Sequence, residues 1–214
     1  MGLGYATSNR GGCHLNGGYL ALVETVMLSV DAQTPKGKAE LTVLFQNMIE
    51  AISVAGYCLF TAIAVLPGVL LRLGPAHPVS RFVSKILVGV RFVLGSIWKF
   101  MPKLLPFNLL YLLPHSESLK LVTGMPMTSG KFLQIGERCF NIERLFNLRE
   151  GFTAKDDDLC VRLTKTPQDP DRPDTIVPLD KMLPKYYKVR GWDENGIPTK
   201  KKLKKLGIDI DMKA

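Results

Sequence analysis

The pattern of hydrophobic and polar positions predicts a chain built mainly from helices. Over residues 39–63, apolar residues recur three and four positions apart and define one face: Leu41, Leu44, Phe45, Met48, Ile49 and Ile52. Because glycine costs about 1 kcal/mol in a helix interior, we expect this helix to break near Gly56. The alternation typical of strands is almost absent, so the predicted fold class is mainly α.

A second clean helix is predicted over residues 130–148. Thr128 is suited to be its N-cap and Gly151 to end it. Its predicted apolar face consists of Phe132, Ile135, Cys139, Ile142, Leu145 and Phe146. The charged residues predicted to face solvent are Glu137, Arg138, Glu143 and Arg144. Residues 153–178 are predicted to form a loop, and residues 200–206 a short lysine-rich helix with a solvated face, capped by Thr199 and closed by Gly207.

The stretch from residue 51 to residue 116 contains no acidic residue. Its uncharged part, residues 51–71, has about the length of a membrane span. Because Pro67 and Gly68 interrupt it, a buried core helix is favoured over a spanning helix, with a surface-seeking amphipathic segment as the intermediate alternative. Residues 79–101 mix basic and apolar positions, as in a helix that lies on a membrane or partner, or in one that packs on its own domain.

Composition limits the classes of protein that this sequence can represent. The chain has 214 residues, 46% of them hydrophobic, which is enough for one medium domain or two small ones. Its net charge of +9 comes largely from residues 51–116 and the lysine-rich helix, and no aromatic platform for bases accompanies it. Nucleic acid is therefore not an expected partner, and membrane association is not favoured. Four widely spaced cysteines argue against a disulfide scaffold and favour a reducing, cytoplasmic location.

Two short segments carry candidate chemistry. In the first, Arg10 stands beside Gly11 and Gly12, a combination that suits anion binding but also a tight turn with positive φ. His14 follows it, either as a proton carrier or as a structural histidine. In the second, Cys58 lies among apolar residues, either as a core thiol or as a ligand to a cluster. Because the chain has no C-x-x-C motif, it cannot hold an iron–sulfur cluster alone.

An acidic loop is the third candidate. Asp156, Asp157 and Asp158 could bind a divalent cation or serve acid–base chemistry. With Lys155 and Arg162 nearby, a solvated network of ion pairs is the favoured interpretation.

Four blocks of sequence, in a fixed order, give the chain a family resemblance. They are residues 3–14, residues 55–60, residues 135–151 with 155–158, and residues 182–193 followed by 196–198 and 206–208. In these blocks the chain resembles the C-terminal part of the aldehyde ferredoxin oxidoreductase family, which are tungsten- or molybdenum-pterin enzymes. The resemblance implies helical C-terminal domains, with the family's N-terminal β-rich pterin domain absent from this sequence. The glycine-rich loop that starts at residue 2 without a preceding scaffold also suggests that the sequence is truncated.

The resemblance divides the chain into three stretches. Residues 1–64 would form a cofactor-facing loop and a cluster-ligand helix, residues 65–127 an apolar basic insertion, and residues 128–214 the C-terminal helical part.

The resemblance also implies roles for single residues. Cys58 would be the fourth ligand of a [4Fe–4S] cluster whose other three ligands belong to a C-x-x-C-x-x-x-C run that this sequence lacks. His14 would donate or accept a proton beside the metal, Arg10 would contact the bis-pterin cofactor, and Tyr57 and Leu59 would touch a pterin through their backbones.

Two positions depart from the family pattern. Ser53 stands where the family motif D-x-x-G-L-C has its aspartate, so a carboxylate contact to the pterin is lost or softened. Asn16 stands where a lysine is often found. We expect Ser53 and Asn16 to face the cofactor with altered contacts.

The implied reaction is oxidation of an aldehyde to a carboxylic acid, with electrons passing through the cluster to ferredoxin. This polypeptide alone is expected to be inactive without the missing N-terminal half or a partner subunit. Two alternatives remain open at this point: a non-catalytic truncated chain or subunit, and a membrane-surface helical module built on residues 51–114.

Overall fold

The computed structural model describes residues 1–16, 20–21, 23–27, 30–58, 60, 72–89 and 114–209. In this part of the chain the regular structure is helical, and the only β pairing consists of two isolated bridges. The α-helices are α1 (Gly2–Ala6), α2 (Lys38–Val54), α3 (Pro78–Gly89), α4 (Pro114–Thr123), α5 (Ser129–Arg149), α6 (Val161–Lys165), α7 (Leu179–Arg190) and α8 (Lys200–Leu206). A π-helical turn covers Val23–Met27 and a 3₁₀ turn covers Ala154–Asp156. The mainly α prediction is confirmed.

Helix α2 is shorter than the sequence pattern predicts, because it ends at Val54 rather than at residue 63. The backbone N–H of Gly56 donates to the Ser53 carbonyl at 3.0 Å, and that of Tyr57 donates to the Ile52 carbonyl at 3.1 Å. With Gly56 at φ +78°, these two bonds form a Schellman motif. The glycine predicted to break the helix thus closes it, and the chain leaves α2 just before Cys58.

Helix α5 confirms the prediction for residues 130–148 within one residue at each end. The Thr128 side chain accepts a hydrogen bond from the Lys131 backbone N–H at 3.1 Å, which satisfies one of the unpaired donors of the first turn. Gly151 follows the helix at φ +94°. Local capping chemistry therefore determines both ends of this helix.

The faces of α5 differ from the prediction. Glu137 and Arg144 are buried, whereas Ile142 and Phe146 are exposed. Each buried charge has a distant partner: Lys202 pairs with Glu137, and Asp157 pairs with Arg144. Pairing compensates for the cost of removing these charges from water. The face of α5 that carries Glu137 and Arg144 therefore packs toward α8 and the acidic loop.

The core lies where α2 packs against α5, with α7 and α1 completing it. The backbones of α2 and α5 come unusually close at Gly136, where an added Cβ would lie 1.9 Å from the Asn47 carbonyl oxygen. The larger apolar cluster buries Leu3, Ala6, Ala39, Val43, Leu133, Phe140, Leu179, Met182, Tyr186, Tyr187 and Trp192. A second cluster at the C-terminal end of α2 buries Ile49, Ala51, Ile52, Met127 and Phe132.

Several predictions for the C-terminal part need correction. Residues 153–178 do not form a plain loop, because a 3₁₀ turn and helix α6 lie within them. Helix α7 was not predicted; it contains Pro184 and is closed by Gly191 at φ +76°. Helix α8 agrees with the prediction, including the Thr199 cap and the left-handed Gly207.

The basic stretch is only partly described. Helix α3 covers Pro78–Gly89, and the predicted continuation to residue 101 lies outside the described residues. The helix buries Ser80 and Ser84 and exposes Val79, Phe82 and Ile86. Over the residues that the structure describes, no helix combines the length and apolar character needed to cross a membrane. Most of the uncharged run 51–71 lies outside them, and the division into residues 1–64, 65–127 and 128–214 stays a prediction.

Candidate cofactor-facing site

The glycine-rich loop after α1 is fixed to α5 by a reciprocal pair of hydrogen bonds. The Asn9 side-chain amide donates to the Phe140 carbonyl at 2.9 Å, and the Asn147 amide donates to the Asn9 carbonyl at 2.9 Å. Beyond this anchor, Gly11 turns the chain at φ +78°. Gly11 and Gly12 are exposed, so their backbone is open to a neighbouring molecule. A cavity of about 610 Å³ opens beside the loop, between Arg10 and the acidic loop at Asp156.

Arg10 and Ser53 are two predicted site residues that the fold brings together. The Arg10 Nη2 donates to the Ser53 hydroxyl oxygen at 3.1 Å and lies 3.9 Å from Oε1 of Glu50. The arginine side chain is 39% exposed, whereas that of Glu50 is 1% exposed. The cation therefore lies at the surface over the last turns of α2, with its inner edge held by α2.

His14 and Asn16 lie further along the same loop in opposite environments. His14 is exposed, as a group that exchanges protons with a ligand must be. Asn16 is buried, and neither its amide nitrogen nor its amide oxygen has a hydrogen-bond partner among the residues that the structure describes. An amide buried without partners costs about 1–3 kcal/mol, so this side chain is suited to a partner that the described protein groups do not supply.

The Schellman turn after α2 presents Tyr57 and Cys58. Cys58 is exposed, which excludes the interpretation of a core thiol. Tyr57 is half-buried and packs edge-on against His115, with ring centroids 4.9 Å apart. Burial lowers the pKa of His115. The turn is thus supported by an aromatic contact from His115 of α4. Leu59, the remaining predicted site residue, lies outside the described residues.

Sequence reasoning missed a pair of acidic residues below Arg10. Glu50 on α2 hydrogen-bonds to Glu143 on α5, and the Asn9 amide donates to Glu143 Oε2 at 3.2 Å. Burial, and secondarily the charge of Glu143, raises the pKa of Glu50 to about 7, while Arg10 opposes this shift. The available signal was the polar stripe of Gln46, Asn47 and Glu50 along the middle of α2.

The polar stripe continues into the core. Arg190 of α7 is fully buried and donates from Nη2 to Gln46 Oε1 at 2.7 Å, and its guanidinium lies 3.8 Å from the centre of the Phe140 ring. The Gln46 amide nitrogen in turn donates to the Thr7 hydroxyl at 3.1 Å. These contacts tie α1, α2, α5 and α7 together directly behind the loop that carries Arg10.

Within the acidic loop, Asp157 is a buried structural residue, whereas Asp156 and Asp158 are exposed. The Asp157 carboxylate is buried and accepts hydrogen bonds from Nη1 and Nη2 of Arg144, both at 2.8 Å. The Tyr187 hydroxyl also donates to it. The prediction of pairing with Lys155 and Arg162 was wrong for this residue, because the partner comes from α5. Among the described residues, no group of three or more His, Cys, Asp or Glu side chains is placed to hold a metal ion.

Comparison with known proteins gives a consistent result over the whole chain. The family model described as aldehyde ferredoxin oxidoreductase, domains 2 and 3, matches residues 1–208. The tungsten-containing aldehyde ferredoxin oxidoreductase of Pyrococcus furiosus is 34% identical over 97% of this chain. The proteins of the same name from Pyrococcus abyssi and Thermococcus kodakarensis are each 32% identical over 97% of this chain.

The match covers only part of each relative. This chain spans 27% of the length of the Pyrococcus furiosus and Thermococcus kodakarensis proteins and 28% of that of the Pyrococcus abyssi protein. The sequence blocks and the family match agree over residues 1–208, and the described part of the chain is helical. The chain therefore belongs to the aldehyde ferredoxin oxidoreductase family, in which it matches the model of domains 2 and 3.

Proposed function

We propose that this chain forms one wall of the cofactor site in a tungsten-pterin oxidoreductase. The reaction is oxidation of an aldehyde to a carboxylic acid, with the electrons passing through a [4Fe–4S] cluster to ferredoxin. The observation that carries the proposal is the position of Cys58, an exposed thiol on a backbone-fixed turn at the end of the helix to which Arg10 is bonded.

The residues of the site fit the chemistry of these cofactors. Cys58 provides one soft thiolate, the donor that iron–sulfur clusters require, and the other three ligands come from outside this chain. Arg10 offers guanidinium donors, and Asn16 offers a buried amide with both polar atoms unpaired. The names of the relatives favour tungsten over molybdenum as the metal.

The chain's own groups bind, orient and transfer protons. When bound, the tungsten centre and the cluster accept the two electrons that leave the aldehyde carbon. Converting an aldehyde and water to a carboxylic acid also releases two protons, and the exposed imidazole of His14 takes up one of them. Arg10 holds an anionic group of the pterin cofactor, and the anchor at Asn9 fixes that arginine relative to α5.

The test is co-expression with the polypeptide that carries the C-x-x-C-x-x-x-C segment and the pterin-binding domain. The purified complex is expected to contain iron and tungsten and to show the visible absorption of a [4Fe–4S] cluster. Cys58→Ala is expected to abolish that absorption. Cys160→Ala removes another exposed thiol and is expected to leave it unchanged. Equal spectra for the two variants, or a complex without iron and tungsten, would refute the proposal.

A further inference from the structure

The carboxyl pair of Glu50 and Glu143 has no part in the reaction proposed above. The Glu50 side chain is 1% exposed, and burial, the charge of Glu143 and hydrogen bonding to Glu143 all raise its pKa. A hydrogen bond between two carboxyl groups requires a proton on one of them, because ionised carboxylates only accept. When it shares one proton, the pair carries a single negative charge.

Arg10 lies directly above this charge. Its Nη2 is 3.9 Å from Glu50 Oε1, and that oxygen is buried without a hydrogen-bond partner on any described residue. The same Nη2 donates to Ser53, one helical turn further along α2. Within the described part of the chain, the hydrogen bond of Arg10 uses this inner edge of the guanidinium, so Nε and Nη1 are available to a ligand at the surface.

The other charged or titratable groups that face the pair come from α5 and α7. The positive charges of Arg10 and of Arg190 favour ionisation of Glu50, whereas burial and the neighbouring Glu143 oppose it more strongly. Cys139 on α5 has its pKa raised by burial and then by Glu50 and Glu143. It therefore remains a thiol where the carboxyl pair titrates and adds no negative charge.

We propose that Glu50, acting with Glu143, is a positioning residue for Arg10: the proton-sharing pair supplies one buried counter-charge and leaves the outer N–H groups of Arg10 directed at an anion. Loss of the shared proton doubles the negative charge, which draws the guanidinium inward and weakens its hold on the anion. The identity of that anion as the pterin cofactor rests on the proposed function. The charge relationship among Arg10, Glu50 and Glu143 does not.

The pair can be observed directly by NMR on the full chain without cofactor. We expect the Glu50 side-chain carboxyl carbon to titrate near pH 7 and the Arg10 Nε resonance, assigned from its loss in Arg10→Lys, to shift with the same midpoint. In Glu50→Gln, the Arg10 resonance is expected to stay at its low-pH position between about pH 5 and about pH 9, because the amide keeps the hydrogen bond without titrating. In Glu143→Gln, the midpoint of the Glu50 titration is expected to fall by about one pH unit, which is a tenfold decrease in the proton affinity of Glu50.

Sulfate serves as the anion probe because its charge is constant over this range. Sulfate binding is expected to shift the Arg10 resonance. Its affinity is expected to be about fivefold weaker above the midpoint of the Glu50 titration than below it, and to be independent of pH in Glu50→Gln. Glu150→Gln removes an exposed carboxylate that pairs with Arg149 and is the matched control, with no expected effect. An Arg10 resonance that ignores the carboxyl titration, or that sulfate never shifts, would overturn the proposal. Because no metal or pterin is present in this experiment, its failure is distinct from failure of the proposed function.

Discussion

Arg144 and Asp157 form a buried two-pronged ion pair in which both guanidinium–carboxylate distances are 2.8 Å. Both side chains are at most 6% exposed, and the arginine Nε also donates to the Gly196 carbonyl at 3.0 Å. The pair joins α5 to the acidic loop and to the turn that follows α7. The guanidinium is separated from these two partners by 13 and 52 residues along the chain, so it connects three elements that are distant in sequence.

Removing one partner of this pair is expected to be costly. Arg144→Ala leaves the Asp157 carboxylate buried without its cation and is expected to lower the free energy of unfolding by about 3–5 kcal/mol. Arg149→Ala breaks an exposed ion pair with Glu150 on the same helix and is expected to change it by less than about 1 kcal/mol. Urea denaturation of the two variants measures the difference. Equal losses would show that Arg144 contributes no more than a surface charge.

The close approach of α2 and α5 predicts that position 136 tolerates no side chain. Gly136→Ala would place a Cβ 1.9 Å from the Asn47 carbonyl oxygen and 2.7 Å from the Ala51 backbone nitrogen, so the helices must separate. We expect a loss of at least about 3 kcal/mol in unfolding free energy. Gly89→Ala, at the end of α3, meets no described atom within 4 Å and is expected to change the free energy of unfolding by less than about 1 kcal/mol. Thermal unfolding followed by circular dichroism distinguishes the two, and an unaltered midpoint for Gly136→Ala would contradict this packing.

The unpaired amide of Asn16 predicts a trade-off between stability and binding. Asn16→Leu removes two unsatisfied polar atoms and is expected to leave the free energy of unfolding unchanged or to raise it by up to about 1 kcal/mol. Asn141→Leu is the contrasting variant, because that amide accepts from Trp192 Nε1 at 2.8 Å and donates to the Glu137 carbonyl at 2.7 Å. Its expected loss is about 2–3 kcal/mol. If denaturant titration gave both variants the same loss, Asn16 would have protein partners after all.

The raised pKa of Glu50 predicts that the folded chain loses stability as the pH rises. Between the ordinary glutamate value of 4.5 and about 7, the folded state binds more protons than the unfolded state. The contribution of Glu50 is therefore complete below pH 4.5 and is lost as the pH passes through about 7. An interval of that width corresponds to about 3 kcal/mol.

The measurement is urea denaturation over a pH series, comparing the unaltered chain with Glu50→Gln. The comparison is made as a difference because His115, whose pKa is lowered, contributes a slope of opposite sign below its ordinary value of 6.5. The difference between the two chains is expected to change by about 3 kcal/mol over the series. A constant difference would mean that Glu50 has an ordinary pKa.

Local signals in the sequence were sufficient for the helices that depend on local chemistry. The ends of α5 follow from Thr128 and Gly151, because a cap acts within one turn of the helix that it closes. Helix α7 was not predicted, and it contains Pro184 five residues after Leu179. The helix is fixed by the buried Tyr186 and Arg190. Tertiary contacts override the propensity of a single residue in such a case.

The candidate site was predictable only in part, for the same reason. The glycines around Arg10 and the glycine before Cys58 mark the two turns, but the contact between Arg10 and Ser53 joins residues 43 positions apart. Glu50 places a carboxyl group at a buried position of α2, and its neighbour Glu143 comes from another helix, α5. Pairwise contacts of this kind depend on how α2 and α5 pack, which hydrophobic periodicity does not specify. The roles of Cys58, His14, Tyr57 and Leu59 toward a cofactor stay predictions.

The turn at the end of α2 has a consequence for how such a site can diversify. Two of the bonds that shape it run from main-chain N–H groups to main-chain carbonyls, and the left-handed φ of Gly56 favours a residue without a side chain there. These two bonds do not depend on which side chain stands at position 58. A different metal ligand at that position would leave both bonds available, so ligand exchange can be attempted on the same turn.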